Sequence, residues 1–406
     1  MSTEPSSTPP AGSPGAEARQ RIGPWQAFWI CVMLFAVALF ARDIANTNES
    51  LSIGGDALWG RDFVNVYTSG TLVLQGRLDL LYDPTAYQAF QDELFGGGLR
   101  YHLFSYPPVA LLYGWLFALL PYPLALLLWV AGTGALFVLA ARPYLRDAGL
   151  PAWIAIAAPA SLVNIWAGHY GFVIGALWLA AWHLLARRPV AAGILVGLMV
   201  VKPHLAVLMP IVLLWRREWT AFAAAAATVL ALVGLSAALF GPELWLVYVT
   251  EVAAAHAAMV DDVGTFFLLL MPTLTPALAM LGVPILAATA VQAMVGIAAI
   301  VLLLRHMPRD DRRAGLATAT ATFLVLPYGF AYDMTVAGLA GLILLRESLG
   351  RRSPAFTLLV ALTAIVPLAV MYFNRAGVPG APLLIAFQLS ALLGLMERER
   401  ATRPPG

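Results

Sequence analysis

The sequence predicts an all-α polytopic membrane protein of about twelve transmembrane helices with a structured first extracytoplasmic loop. Three observations carry that expectation. First, 61% of the 406 residues are hydrophobic and 11% charged, against roughly 45–50% and about 25% in an ordinary soluble domain. Second, the mean hydropathy is +0.80 and the excess runs over residues 25–396, more than one soluble core can absorb once cores stop growing near roughly 250–300 residues. Third, the breaks between apolar runs alternate between arginine-rich and arginine-poor, as a chain zigzagging across a bilayer requires. Soluble enzymes, secreted disulfide scaffolds and nucleic-acid binders are excluded. The formal charge of +2 points to no partner, because in a membrane protein the sign matters loop by loop. The one cysteine, Cys31, lies inside the first apolar run as packing filler and allows no disulfide or cysteine metal site within the chain.

In chain order, residues 1–20 are rich in Ser, Pro and Gly and read as a disordered cytoplasmic tail. Residues 21–397 read as one integral-membrane domain and 398–406 as a second cytoplasmic tail. The first span is 25–41, and Arg19 and Arg21 before it place the N-terminus inside. The one long polar stretch, 43–106, holds eight acidic residues against Arg61, Arg77 and Arg100 and reads as the large extracytoplasmic loop. Within it, 63–74 and 84–95 have the pattern of amphipathic helices near the interface.

Beyond Pro107 the chain is a ladder of apolar segments. Arg142/Arg146, Arg187/Arg188, Arg216/Arg217, the arginines of 305–313 and 346–352, and Arg398, Arg400 and Arg403 mark one set of breaks. With the N-tail they take eighteen of the 24 Lys and Arg. The zigzag that satisfies them has about twelve crossings and both termini cytoplasmic. Residues 107–120 and 266–280 give only about 22 Å of helix and are expected to be re-entrant or interfacial. Residues 190–201 and 203–215 are also short, but the arginine alternation requires a reversal near Lys202. No internal repeat stands out, which weakens a transporter built from two similar halves.

If the arginine-poor side is outside, then Asp62, His102, Tyr106, Asn164, His169, Lys202, His204, His256, Asp261, Asp262, Tyr328, Tyr332, Asp333 and Arg375 gather at outer helix ends and suggest one extracytoplasmic cavity, since ionisable groups at membrane depth face a cavity or one another. Lys202 is the sole lysine. Pro203 breaks the helix after it, so the turn can present its ammonium and the His204 imidazole to an anion, phosphate first; a lysine snorkelling to the interface is the competing reading. Asp62, in GRDFVNVY, can take a proton from a hydroxyl nucleophile, or it is a helix-start cap or a partner of Arg61. Asp333, after Tyr332 in LPYGFAYDMTVAG, is a second such carboxylate or again a cap. Tyr106-Pro107-Pro108 shapes a rigid turn with the tyrosine within reach of substrate. His169 either contacts phosphate or sugar or is structural. Asp261-Asp262, near His256, read as a solvated loop rather than a metal site. His183 and His306 carry no assigned role. No P-loop, GxGxxG or HExxH is placed where its chemistry needs it.

At these segments the sequence resembles glycosyltransferase family 87, bacterial membrane proteins of the C-type glycosyltransferase superfamily that use polyprenyl-phosphate sugars. DFVNVYTSGTLVLQGRLDLLYDPTAY is similar to the family's Asp-Phe start, helix and Tyr-Asp-Pro, and FSYPPVALLYGWLFALLPY to its Tyr-Pro-Pro segment. The stretch from GHYG through ARRPVAAG to VVKPH resembles its Gly-Gln-Asn, Arg-Arg-Pro and Lys-Pro-Gln block, and LPYGFAYDMTVAG its late Pro-Tyr…Tyr-Asp motif. His169-Tyr170 stand where many members have Gln-Asn, and His204 where many have Gln.

The resemblance implies a C-type bundle whose first outer loop and outer helix ends form the active site, with the base on Asp62. It implies a hexosyltransferase, mannose the first choice, in the bacterial cytoplasmic membrane. Lys202, His204, His169, Tyr106, Tyr332 and Asp333 become the substrate and phosphate contacts. The partners are membrane lipids, a polyprenyl-phosphate sugar donor and a lipid or glycan acceptor. No cofactor or metal is expected, because the leaving group is a phosphate monoester. The alternative is a transporter or flippase of a lipid-linked or anionic solute that uses the same Lys202 cavity without chemistry.

Overall fold

A computed structural model describes residues 22–49, 51–99, 102–252 and 266–395. The two tails, with Arg19, Arg21, Arg398, Arg400 and Arg403, lie outside the described residues, as do Arg100 and the His256–Asp261–Asp262 group. Helix α1 (Pro24–Ala45) opens on proline at its first position, where an N–H has no partner to lose. A two-residue-strand hairpin, β1 (Ser52–Ile53) and β2 (Ala57–Leu58), follows. It turns on Gly54 and Gly55, both at positive φ. Helix α2 (Phe63–Gln75) ends at left-handed Gly76. Helix α3 (Pro84–Phe95) starts at Asp83, whose carboxylate accepts from the Thr85 and Ala86 N–H groups at 2.9 Å. Both helices of the acidic loop thus form where the sequence places them.

Helix α4 (Leu111–Ala118) packs along α2 with backbones touching, so that a Cβ on Gly70 would collide with the Gly114 carbonyl. At about 12 Å it is too short to cross a hydrocarbon core of roughly 30 Å. After it come α5 (Tyr122–Asp147), α6 (Ile154–Ala157), α7 (Pro159–Ala167), α8 (Gly171–Leu184), α9 (Pro189–Leu198) and α10 (Leu208–Trp215). Then follow α11 (Trp219–Phe240), α12 (Pro242–Val247), α13 (Phe266–Leu269), α14 (Leu274–Met280), α15 (Ile285–His306) and α16 (Asp311–Val325), and last α17 (Thr335–Ser348), α18 (Pro354–Arg375) and α19 (Gly380–Leu392). Residues 266–280 are split between α13 and α14, neither of them long enough to span.

Five helices, α1, α5, α11, α15 and α18, are long and apolar enough to cross, with 22–26 residues and hydropathy 2.0–2.3, or about 33–39 Å of helix. The other segments in the twelve-crossing expectation are shorter. The long helices turn Leu127, Leu136 and Leu139 (α5), Leu230 and Leu239 (α11) and Leu286 (α15) outward. Residues 314–324 of α16 and 335–345 of α17 are instead buried throughout. Leucines outside with threonines, a lysine and aspartates inside is the arrangement of a chain whose solvent is hydrocarbon. This is an all-helical polytopic membrane protein.

The path near Lys202 follows from small residues. A Cβ on Gly193 of α9 would strike Ala221 and Ala224 of α11, and one on Gly197 would strike Ala225 and Thr228. The two contacts advance together, so α9 and α11 run parallel, packed through small residues as membrane helices do. The chain between them must therefore reverse, and it does so at Lys202, between 3-10 turns Met199–Val201 and Pro203–Ala206.

The arginine-rich breaks converge at one end of the bundle. Arg216 pairs with Asp311 at 2.5 Å, Arg312 with Asp147 at 2.6 Å and Arg313 with Glu347 at 3.2 Å. Arg312 and Arg313 also donate to the carbonyls of Pro143 and Leu392. The ends of α5, α10, α17 and α19 and the start of α16 thus meet there.

Candidate active site

At the other end, three breaks in helices bring the unusual polar residues together. Gly168, left-handed at φ 65°, closes α7 and delivers His169. The Asn164 carboxamide accepts from the Gly171 N–H at 2.9 Å and fixes the turn. The broken helix after α9 delivers Lys202, and the 3-10 turn Ala331–Asp333 before α17 delivers Tyr332 and Asp333. Gly171 lets the first and third of these turns touch, since any Cβ there would overlap the Tyr332 carbonyl oxygen. The Thr335 hydroxyl seals the contact by donating to the Gly171 carbonyl at 2.8 Å.

Lys202 is 5% exposed and its Nζ donates to both Asp333 oxygens, at 2.7 and 3.0 Å. The snorkelling reading is thereby overturned, because the ammonium has turned inward to a carboxylate 131 residues away. The cap reading of Asp333 falls with it: its side chain serves Lys202. His169 lies against the pair, with Nδ1 3.7 Å from Asp333 Oδ1 and Lys202 Nζ at 3.4 and 3.5 Å from its two nitrogens. Nδ1 accepts from the Tyr170 N–H at 2.7 Å, so the proton of a neutral ring sits on Nε2. Nε2 then donates to the Tyr106 hydroxyl at 2.8 Å, which leaves that hydroxyl its own proton to give. Tyr332 stacks on His169 at 4.2 Å and 18°, and Phe330 on Tyr332 at 5.0 Å and 14°. Tyr106 is held through its carbonyl, which accepts from the Tyr82 hydroxyl at 2.7 Å. His204 is half-buried beside Tyr328, ring centres 5.6 Å apart, upstream of the Tyr332–Asp333 turn.

Asp62 reaches this group from the acidic loop. Its N–H donates to the Ala167 carbonyl at 2.9 Å, and Gly60 lies against Gly168 so closely that a Cβ on the latter would meet the Gly60 backbone. Asp62 is the residue immediately before α2 but makes no capping bond with its side chain, and it is not the partner of Arg61. Arg61 turns away to Asp43 at 2.5 Å and lies 4.0 Å above the Trp166 ring, whose Nε1 also donates to Asp43 at 2.8 Å. Arg61 adopts φ +31°, a left-handed conformation that is strained for a side chain of this size. The two adjacent side chains thus diverge, Arg61 to α1 and Asp62 to the polar cluster. The protein packed around Asp62 pushes its carboxyl up to about 7; Lys202 draws it down, Asp333 pushes it further up, and Arg61 draws it down.

The sequence did not mark Asp43 and Trp166. The available signal was an aspartate two residues beyond the first apolar span, and it lacked a partner until the fold supplied one 18 residues on in Arg61 and one 123 residues on in Trp166. Among the described residues, no group of three His, Cys, Asp or Glu is placed to hold a metal ion.

Chemically, the site offers a carboxylate that changes protonation near neutral pH, a buried and internally balanced ion pair, a hydroxyl donor and a stack of rings suited to the face of a sugar. No curated protein and no solved structure gives a significant match to the chain. The profile of glycosyltransferase family 87 matches residues 104–327, a segment that carries Tyr106, His169, Lys202 and His204 and stops short of Tyr332 and Asp333. That match spans more than half of the chain and displaces the transporter reading: the protein belongs to glycosyltransferase family 87 and is a membrane glycosyltransferase.

Proposed function

We propose that the protein transfers a hexose, mannose before others, from a polyprenyl-phosphate carrier to a lipid or glycan acceptor, with inversion, at the outer face of the bacterial cytoplasmic membrane. The observation that supports this reading best is Asp62, a carboxylate whose proton affinity lies near neutral, held beside the buried Lys202–Asp333 pair. Asp62 takes the acceptor hydroxyl's proton as that oxygen bonds to the sugar's anomeric carbon. The bond from that carbon to the phosphate oxygen breaks, and its electron pair leaves on the phosphate.

Lys202 balances the charge that develops there, Asp333 holds the ammonium in place and the Tyr106 hydroxyl donates to a phosphate oxygen. Tyr332 and His169 form a wall for the sugar, and His204 stands at its rim. No metal or other cofactor enters this scheme, since a phosphate monoester can depart on hydrogen bonds and one cation. About twelve crossings with both termini cytoplasmic complete the reading, the short helices spanning in pairs with the broken turns.

The test is transfer of radiolabelled mannose from synthetic polyprenyl-phosphate mannose into extracted host-membrane lipids and glycans, with purified wild type beside Asp62→Asn. Labelled product from wild type alone is expected. Product from both moves the base elsewhere, with Asp333 next to examine. Product from neither, while Lys202→Ala binds the donor as wild type does, overturns the donor assignment.

A further inference from the structure

The arginine-rich end contains a cavity of about 1,030 Å³, as large as a ligand pocket. Its wall comes from the end of α5, the α15–α16 connection and the start of α16, the end of α17, the α17–α18 connection and the end of α19. Five arginines line it, Arg309, Arg313, Arg346, Arg351 and Arg352, against two carboxylates, Asp147 and Glu347. Both carboxylates are committed, Asp147 to Arg312 and Glu347 to Arg313. Arg352 lies over the Phe356 ring at 5.6 Å. Arg309, Arg346 and Arg351 form no ion pair with any described residue. Three guanidinium groups with no ion-pair partner among the described residues therefore converge on one recess, Arg309 from the α15–α16 connection, Arg346 from the end of α17 and Arg351 from the α17–α18 connection.

The charge bias that orients a membrane protein does not explain this. Orientation needs positive charge on one side and is satisfied by side chains spread into water. It does not require arginines gathered around a cavity whose acids are already neutralised. A guanidinium fork matches phosphate oxygens two at a time, and basic recesses at the ends of membrane helices are suited to phosphate head groups. The surroundings favour a phosphate that arrives on a lipid. Met307, Leu349 and Phe356 share the wall, α18 leads away from it with Leu358, Leu359 and Leu362 exposed, and α15 arrives with Val301 and Leu302 exposed. These give acyl chains an apolar track beside the recess.

We propose that this cavity binds the phosphate head group of an anionic membrane lipid, with Arg309, Arg346 and Arg351 as its phosphate contacts. The site lies a full helix away from Asp333, at the far end of α17, and does not depend on which sugar or acceptor is used.

The test is equilibrium binding of fluorescent cardiolipin to the purified full chain in neutral detergent. Each of Arg309→Gln, Arg346→Gln and Arg351→Gln is expected to weaken binding about fivefold and the triple variant about a hundredfold, as expected for loss of one surface cation at a time. Arg217→Gln, at the same end but outside the cavity, is expected to bind as wild type does. Inorganic pyrophosphate at millimolar concentration is expected to leave the lipid in place. Triple-variant binding within twofold of wild type overturns the site, and so does an equal loss in Arg217→Gln. Displacement by pyrophosphate as effective as by unlabelled cardiolipin overturns the lipid as its source. If the triple variant does not purify as a folded protein, the three single variants decide the matter.

Discussion

At one end of the bundle Lys202 and Asp333 meet with side chains 6% and 0% exposed; at the other Arg312 and Asp147 meet at a similar 2.6 Å with 29% and 49% exposed. Geometry alone would rank the two pairs together, but solvent separates them. The buried charges have surrendered their hydration and depend on each other, on His169 and on the turns that hold them. The open charges keep much of their water and gain little by meeting. The many charges near the arginine-rich end surround the recess proposed to bind lipid, whereas the few at the other end mark the place where chemistry is proposed.

Breaking the buried pair from one side should have the largest effect. Lys202→Met strands the Asp333 carboxylate and Asp333→Asn strands the ammonium, and either is expected to cost about 3–5 kcal/mol. Lys202→Met with Asp333→Leu together should restore most of that stability while abolishing transfer. Denaturation midpoints in mixed micelles measure this, and a single variant as stable as wild type would show that water reaches the pair.

Asp62 separates function from stability at the same end. Asp62→Asn is expected to lower transfer about 10²–10⁴-fold, the usual worth of a positioned base, with an unfolding midpoint at neutral pH no lower than that of wild type, because the side chain caps nothing and its burial penalises the charged form that asparagine lacks. With its carboxyl pushed up to about 7, the base form is lost as pH falls through that value. The transfer rate kcat/KM should therefore rise tenfold per pH unit below about 7 and level off above it. A flat profile between pH 5 and 8 would remove Asp62 from the role.

Smaller changes probe what positions the site. Gly171→Ala inserts a methyl group between the His169 and Tyr332 turns and is expected to cost about 1–3 kcal/mol as an overpacked contact, with a weaker donor interaction. Its thermal midpoint set against Gly132→Ala, where nothing lies within 4 Å, measures the difference. Arg61→Gln removes a positive charge that holds the Asp62 carboxyl down, so the acid limb of the rate profile should move to higher pH. An unmoved limb with lower stability would reduce Arg61 to a structural partner of Asp43.

These experiments also mark what the sequence can and cannot say. The uniqueness of Lys202 and the Pro203 after it announced a break but left its ammonium between an anion site and the interface, and the arginine spacing announced the reversal that Gly193 and Gly197 confirm. The partner of that cation was not legible. Asp333 reads locally as the cap of a helix, and only the fold carries it to Lys202. Asp62 and Arg61 read as a pair because they are neighbours, yet a left-handed residue at Arg61 sends them in opposite directions. Local grammar placed breaks and periodicity well, and it failed, as with the cap readings of Asp62 and Asp333, wherever a side chain chose between a near partner and a distant one. Helix length is the other limit. The apolar runs of α8, α9 and α19 count as spans by hydropathy, but among the described residues only five helices have the length to cross unaided.

The smallest effect belongs to the open pair, and it decides whether the comparison of the two ends is about burial. Arg312→Ala and Asp147→Ala, singly and together, form a double-mutant cycle expected to give a coupling of about 0.2–1 kcal/mol that shrinks with added salt. The Arg312 donation to the Pro143 carbonyl survives Asp147→Ala, so the cycle isolates the ionic part. The matching cycle on Lys202 and Asp333 should give several times that coupling with little response to salt, because ions cannot enter between groups sealed under His169 and Tyr332. Equal couplings at the two ends would mean that the buried site is wet, and the proposed role of Lys202 as a preorganised cation would lose its physical basis.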